Sequence, residues 1–104
     1  MPVINRIVEF NEDMTIWRRD LHAHPETAFE EKRTSDIVAA KLEKFGIEVH
    51  RGLATTGVVG TLITGPGPSI GLRADLNALN VDELNNFDHK STRHGKMHAC
   101  GHDG

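Results

Sequence analysis

The sequence predicts an α/β or α+β fold in which two helices precede a small sheet. Two stretches in the first half carry apolar residues at helical spacing. After them, runs of β-branched and aliphatic residues flank a Gly-Pro-Gly-Pro turn at 65–68. With 104 residues, the chain fits one domain at most.

The first helix is predicted to end before Pro25. Its apolar residues recur at spacings of four and three and so share one face: Val3, Ile7, Phe10, Met14, Trp17 and Leu21. Pro25 closes the segment because the residue before a proline is pushed out of the helical region. A second helix is predicted over about residues 29–45, with Gly46 as its C-terminal cap.

Three strands are predicted after the helices, over residues 47–50, 58–64 and 70–76. The turn at 65–68 lies between the two longer strands, so we expect them to form an antiparallel hairpin. Residues 77–96 are polar and aperiodic and are predicted to be a loop. So long a loop in a compact domain is usually functional or mobile.

The composition excludes several classes of function. Lys and Arg number 12 against 15 Asp and Glu, and this balance of −3 offers no basic face for a nucleic acid. No apolar run approaches the roughly 18 residues of a membrane span, and residues 2–6 lack the features of a signal peptide. Cys100 is the only cysteine and has no partner for an internal disulfide, which fits a reducing cytoplasm. We therefore expect a cytoplasmic protein without nucleic-acid or membrane partners.

The strongest chemical signal is Met-His-Ala-Cys-Gly-His-Asp-Gly at 97–104. Thiolate and imidazole are the side chains that bind zinc-like metals best, so Cys100 and His102 are predicted metal ligands presented by one loop. A structural or catalytic zinc needs at least three protein ligands. The spacing leaves the third open among His98, Asp103, His94, His89 and Asp75.

Other candidate residues carry weaker signals. Asp75 lies at the end of a predicted strand, where reacting groups gather in α/β sheets. Two interpretations of Asp75 are about equally supported: a residue that supports or binds a metal, and an ordinary polar residue at a strand end. His22 and His24 lack the i, i+4 spacing of a helical metal clip, so their segment is interpreted as a capped helix end with surface charge. Cys100 as the nucleophile of an acyl transfer is a further alternative, but the neighbouring ligand types favour a metal.

Three motifs follow one another along the chain: Leu-His-Ala-His-Pro-Glu at 21–26 running into Phe-Glu-Glu at 29–31, Gly-Leu-Arg-Ala-Asp at 71–75, and Gly-Lys-Met followed by the terminal cluster at 95–104. Together they resemble the M20 metallopeptidase family in its amidohydrolase branch, which includes hippurate hydrolases, N-acyl-amino-acid amidohydrolases and auxin-conjugate hydrolases. The resemblance implies the N-terminal part of a three-layer α/β/α, zinc-exopeptidase-like catalytic domain over residues 1–104. The family's dimerisation domain and C-terminal catalytic half would then lie outside this sequence.

The resemblance also implies roles for single residues. Cys100 and His102 match metal ligands of the family, and Asp75 matches the acid that supports the site. His98 and Asp103 are expected to contact and orient the ligands without binding the metal themselves. The general-base glutamate of the family has no counterpart here. The implied cofactor is two divalent metals per intact site, zinc or else manganese, nickel or cobalt. The implied reaction is hydrolysis of small N-acyl amino acids by a homo-oligomeric enzyme.

Two departures affect the expected activity. Asn-Ala-Leu-Asn at 77–80 stands where the family usually has Asp-Ala-Leu-Pro, and residues 85–94 are more polar than the family pattern. Without the general base and further ligands, the 104-residue chain alone is expected to be inactive. The alternatives are a small stand-alone metal-binding protein with one tight zinc and a poorly folded remnant without function.

Overall fold

A computed structural model of the protein describes residues 3–102. Helices precede strands along this part of the chain, in the order α1 (Asn5–Val8), α2 (Asn11–Ala23), α3 (Lys32–Lys44), β1 (Glu48–Leu53) and β2 (Gly57–Thr61). The predicted α/β class is confirmed. None of the helices within residues 3–102 is both long and apolar enough to cross a membrane.

The first predicted helix is divided into α1 and α2. At the break, the Phe10 N–H donates to the carbonyl of Ile7, three residues back, at 3.0 Å. The apolar stripe that predicted this helix is largely exposed, with Ile7, Phe10 and Met14 at 47%, 40% and 41%. Because these side chains are barely buried, tertiary packing does little to stabilise one continuous helix. The end of α2 at Ala23, shortly before Pro25, agrees with the prediction.

The start of α3 is capped by a side chain from the preceding segment. The Glu26 carboxylate accepts hydrogen bonds from the backbone N–H groups of Arg33 at 3.0 Å and Thr34 at 2.6 Å. Burial raises the pKa of Glu26, but these hydrogen bonds and the Arg33 charge outweigh it and hold that pKa below its ordinary value. The helix begins later than predicted, after Phe29 with a left-handed φ of 66°. It ends at Lys44, and Gly46, the predicted cap, follows with a left-handed φ of 79°.

The hairpin is formed by different strands from those predicted. β1 pairs antiparallel with β2, with His50 opposite Val59. The chain turns at Ala54 and Thr55, both left-handed with φ of 49° and 70°. The loop between the strands has three residues, 54–56, and left-handed positions in such loops usually carry Gly or Asn. Neither Ala54 nor Thr55 gives that signal, so the sequence does not predict the turn.

The predicted third strand, residues 70–76, is not a strand in the described part of the chain. The sheet there contains β1 and β2 alone, so the predicted pairing of 58–64 with 70–76 is wrong. Ile70 and Leu72 are 88% and 92% exposed. A strand needs a neighbour to bond its backbone groups, and residues 3–102 provide none for this segment.

The packing of the described chain centres on α3 and the hairpin. Two alanines are buried, Ala39 on α3 and Ala78 after the hairpin, each 3% exposed, and Pro25 is buried as well. Gly60 of β2 lies against α3 and the segment after it. A Cβ at Gly60 would come within 3.0 Å of Ile47 and 3.3 Å of Leu42. Because Gly60 has no side chain, α3 can approach β2 closely.

Candidate metal centre

The predicted ligands Cys100 and His102 lie side by side. The Sγ atom of Cys100 is 3.5 Å from Nδ1 of His102. Zinc bonds of about 2.3 Å to sulfur and about 2.0–2.1 Å to nitrogen, at a tetrahedral angle, place two such donor atoms about 3.5 Å apart. The separation therefore fits two donors to one ion.

Asp75 reaches the same corner from a distant part of the sequence. Its Oδ2 atom lies 3.7 Å from Nδ1 of His102, and its Oδ1 atom lies 2.7 Å from Nη2 of Arg73. The Asp75 side chain is 29% exposed, whereas that of Arg73 is 87% exposed, so the ion pair itself stabilises little. The structure brings a carboxylate, an imidazole and a thiol together.

A backbone bridge makes this convergence possible. Leu79 donates to the carbonyl of Met97 at 2.9 Å, and Met97 donates back to Leu79 at 3.0 Å. Leu79 follows Asp75 closely and Met97 precedes Cys100 closely. The bridge therefore sets both parts of the candidate site next to each other. The Ala78 N–H, which donates to the Glu26 carbonyl at 2.7 Å, joins this bridge to the helical segment.

A cavity of about 290 Å³ opens beside these side chains. Its lining includes Arg18, His22, Asp75, His98 and His102. His98, expected to support the ligands, is half-buried in this wall. Ligand pockets begin at about this volume, so the corner has room for an ion and part of a small molecule.

The other predicted candidates make different contacts. The Nδ1 atom of His94, on a 97% exposed side chain, is 3.5 Å from Asp82. The His89 ring stacks on Phe87 with centroids 3.9 Å apart. Asp103 lies outside the described residues. Within residues 3–102, no group of three or more His, Cys, Asp or Glu side chains is arranged to hold a metal by itself. The corner is a partial ligand set.

His22 makes a long-range contact that the sequence pattern did not predict. Its Nε2 atom lies 3.0 and 3.1 Å from the two carboxylate oxygens of Glu83, 61 residues away. The side chains are only 14% and 2% exposed. The interpretation of this segment as a surface-charged helix end is therefore wrong for His22. It holds for His24, whose ring nitrogen lies 2.9 Å from the Asp20 carbonyl oxygen.

Glu83 is held ionised by its surroundings. Burial raises its pKa, but hydrogen bonds from the Asn85 side chain, the Ser91 N–H and His22 outweigh the burial and hold the pKa below its ordinary value. The Ser91 contact is 2.6 Å long and the Asn85 contact 2.9 Å. No local pattern signals such a residue, because its partners are brought together only by the fold.

Known proteins with similar sequences and structures are hydrolases and peptidases. No family model matches the chain. It is 50% identical over 86 residues to IAA-amino acid hydrolase ILR1-like 4 of Arabidopsis thaliana, covering 83% of this chain and 20% of that protein. It is 43% identical over 105 residues to hippurate hydrolase of Campylobacter jejuni, covering 100% of this chain and 27% of that protein. The YXEP protein of Bacillus subtilis, a dinuclear metal-binding peptidase of the M20 family, superimposes with a TM-score of 0.83 at 39% identity, over 91% of this chain and 27% of that one.

The fold and the converging ligand types thus define an α/β segment that carries part of a metal site. In sequence and fold, the chain matches the M20 hydrolases, and the resemblance seen in its motifs is confirmed. The chain spans 20% and 27% of the lengths of the two curated relatives named above.

Proposed function

We propose that this chain supplies part of the metal site of an M20-type amidohydrolase that cleaves the amide bond of N-acyl amino acids. The proposal is carried by the convergence of Asp75 and His102 in the wall of one cavity, with Cys100 beside His102. The hydrolase relatives and the dinuclear metal of the Bacillus subtilis neighbour support it. Hippurate-like compounds are the proposed substrates, on the basis of the Campylobacter jejuni relative.

The donor set fits a divalent metal. Thiolate and imidazole together favour zinc, and manganese, nickel or cobalt are the alternatives. Cys100 would bind as a thiolate and His102 as a neutral imidazole. Two metals per complete site are proposed by comparison with the Bacillus subtilis protein. When bound, such metals polarise the amide carbonyl and lower the pKa of a bound water.

Asp75 is proposed as the supporting acid. Its negative charge beside His102 attracts the cation and raises the affinity of the ligands next to it. Arg73 bonds the other carboxylate oxygen. His98 and Asp103 are proposed to support the ligands without binding the metal.

We also propose that residues 1–104 form the N-terminal part of a catalytic domain. The relatives are several times longer, and the described residues hold only a partial ligand set. The general-base glutamate, the remaining ligands and a dimerisation domain are then contributed by sequence outside this one. The longer protein is proposed to be a homo-oligomer. Its proposed location is the cytoplasm, where a lone thiol stays reduced. The 104-residue chain alone is proposed to be inactive.

The test is metal content and hydrolysis of N-benzoylglycine, measured on the purified chain and on Cys100→Ser. His94→Ala serves as the matched control because its side chain is exposed and away from the corner. We expect the chain and the control to retain metal, Cys100→Ser to lose it, and all three to show no turnover. Metal retention by Cys100→Ser, or no uptake by the unchanged chain, would refute the metal role. Cys100-dependent turnover would refute the proposed inactivity.

A further inference from the structure

We propose that His22 and Glu83 are positioning residues that fix the ligand arm, defined as residues 77–102, against the end of α2. The inference rests on the proposed metal function, because the arm carries Cys100 and His102. Neither His22 nor Glu83 is assigned a part in the chemistry itself. Their role is to determine where the two ligands lie.

The pair joins the arm to the helix at several points. One Glu83 carboxylate contacts the His22 ring on α2, the Asn85 amide and the Ser91 backbone N–H. The next residue of the helix, Ala23, also takes part. Its carbonyl accepts hydrogen bonds from both the N–H and the hydroxyl of Thr92, at 2.8 and 2.7 Å. His22 and Ala23, consecutive residues at the end of α2, thus bond the arm at two positions, Glu83 and Thr92.

The same ring also lies close to the candidate site. The centroid of His22 is 6.4 Å from that of His98, which lies just before Cys100 in the chain. His22, His98 and His102 line one cavity. The Leu79–Met97 bridge ties the two ends of the arm to each other. The His22–Glu83 contact bonds residue 83 of the arm to α2, so removing that contact weakens the attachment of the arm to the helices.

Burial makes the contact a specific one. With side chains 14% and 2% exposed, water cannot readily replace either partner. The exposed ion pair of Arg6 and Glu9, with side chains 73% and 60% exposed, lacks this property. Loss of the His22 ring would leave a buried carboxylate short of a partner, and the loop around it would rearrange.

The experiment is a Co²⁺ titration of the full chain, followed by the absorption of the cobalt–thiolate bond to Cys100. We expect His22→Ala and Glu83→Ala to weaken Co²⁺ binding by about 10–100-fold, the range found when partners behind metal ligands are removed. Glu83→Gln keeps an acceptor for Ser91 and should restore part of the affinity. His24→Ala is the matched control, from the same motif but bonded, within residues 3–102, to the Asp20 carbonyl and carboxylate. It should bind within about twofold of the unchanged chain, since exposed substitutions have small effects.

The outcomes separate the two proposals. If His22→Ala binds Co²⁺ as tightly as the unchanged chain, with the same absorption, the positioning role is refuted while the metal function stands. If the unchanged chain shows no Cys100-dependent absorption, the metal function fails. The positioning role is then decided by the alkylation rate of Cys100 in metal-free protein. That rate should rise in His22→Ala and Glu83→Ala and stay constant in His24→Ala; equal rates in all of them would refute it.

Folding of the variants is controlled separately. Circular dichroism at the titration temperature shows whether each variant keeps its helices. If His22→Ala is unfolded, His22→Gln replaces it, because its amide N–H can still donate to Glu83. Full Co²⁺ affinity in a folded Glu83→Ala would also overturn the inference.

Discussion

Oδ2 of Asp75 lies 3.7 Å from Nδ1 of His102, although the polar stretch 77–96 separates the two residues in the chain. The bridge between Leu79 and Met97 closes that stretch into a loop and brings its ends together. The closure of this loop therefore brings Asp75 next to the Cys100–His102 pair. The candidate metal corner depends on this closure rather than on neighbouring sequence alone.

The charge of Asp75 is expected to matter for metal affinity. Asp75→Asn keeps the shape of the side chain but removes the negative charge beside His102. Zinc affinity should fall by about tenfold, at the lower end of the effect of removing a group that supports a ligand. Isothermal titration calorimetry with zinc measures the affinity of each variant. Asp88→Asn, which changes an exposed aspartate outside the corner, is the control. Equal affinity for Asp75→Asn and the unchanged chain would contradict the supporting role.

The cap at the start of α3 should contribute measurably to stability. Glu26→Ala leaves the N–H groups of Arg33 and Thr34 without their carboxylate acceptor. We expect the free energy of unfolding to fall by about 1–2 kcal/mol, as for other N-terminal caps. Urea denaturation followed by circular dichroism gives the value. Glu43→Ala, an exposed glutamate on the same helix, should change it far less. A similar loss in both variants would show that the cap is not responsible.

The hairpin should not tolerate a side chain at Gly57. A Cβ there would lie 2.4 Å from the backbone carbonyl oxygen of Leu53, closer than any real contact, so the strand ends would have to move. Gly57→Ala is expected to cost about 1–3 kcal/mol of unfolding free energy. Gly71→Ala is the comparison, because a Cβ at that position has no atom within 4 Å. Unfolding curves that coincide for the two variants would argue against the tight packing of the turn.

Acid should weaken the anchoring of the ligand arm. The pKa of Glu83 is lowered in the folded state, so its contribution to stability is present above the ordinary value of about 4.5 and is lost as the pH falls through the lowered value. In urea unfolding between about pH 6 and about pH 3, the unchanged chain should lose stability more steeply than Glu83→Gln. The difference between the two should therefore narrow toward low pH. Parallel profiles would contradict it.

Local signals explain which elements were predictable. Gly46 ends α3 and Pro25 closes the segment after α2 as expected, because glycine and proline act on the backbone at their own positions. The closeness of Cys100 and His102 also follows from their spacing, with one glycine between them. These features need no knowledge of distant residues.

The remaining features depend on tertiary contacts. The hairpin turns at Ala54 and Thr55, which carry no turn signal of their own, whereas the Gly-Pro sequence at 65–68 drew the prediction to the wrong place. The His22–Glu83 pair joins residues 61 positions apart, and helical spacing alone cannot reveal it. A periodic pattern reports which face of an element is apolar and says nothing about its partner.

The central claim, that Cys100 and His102 bind one metal, is tested most directly by X-ray absorption at the zinc edge of the zinc-loaded chain. We expect one sulfur at about 2.3 Å together with nitrogen or oxygen ligands at about 2.0–2.1 Å, and loss of the sulfur in Cys100→Ser. A zinc surrounded by nitrogen and oxygen alone in the unchanged chain would contradict it.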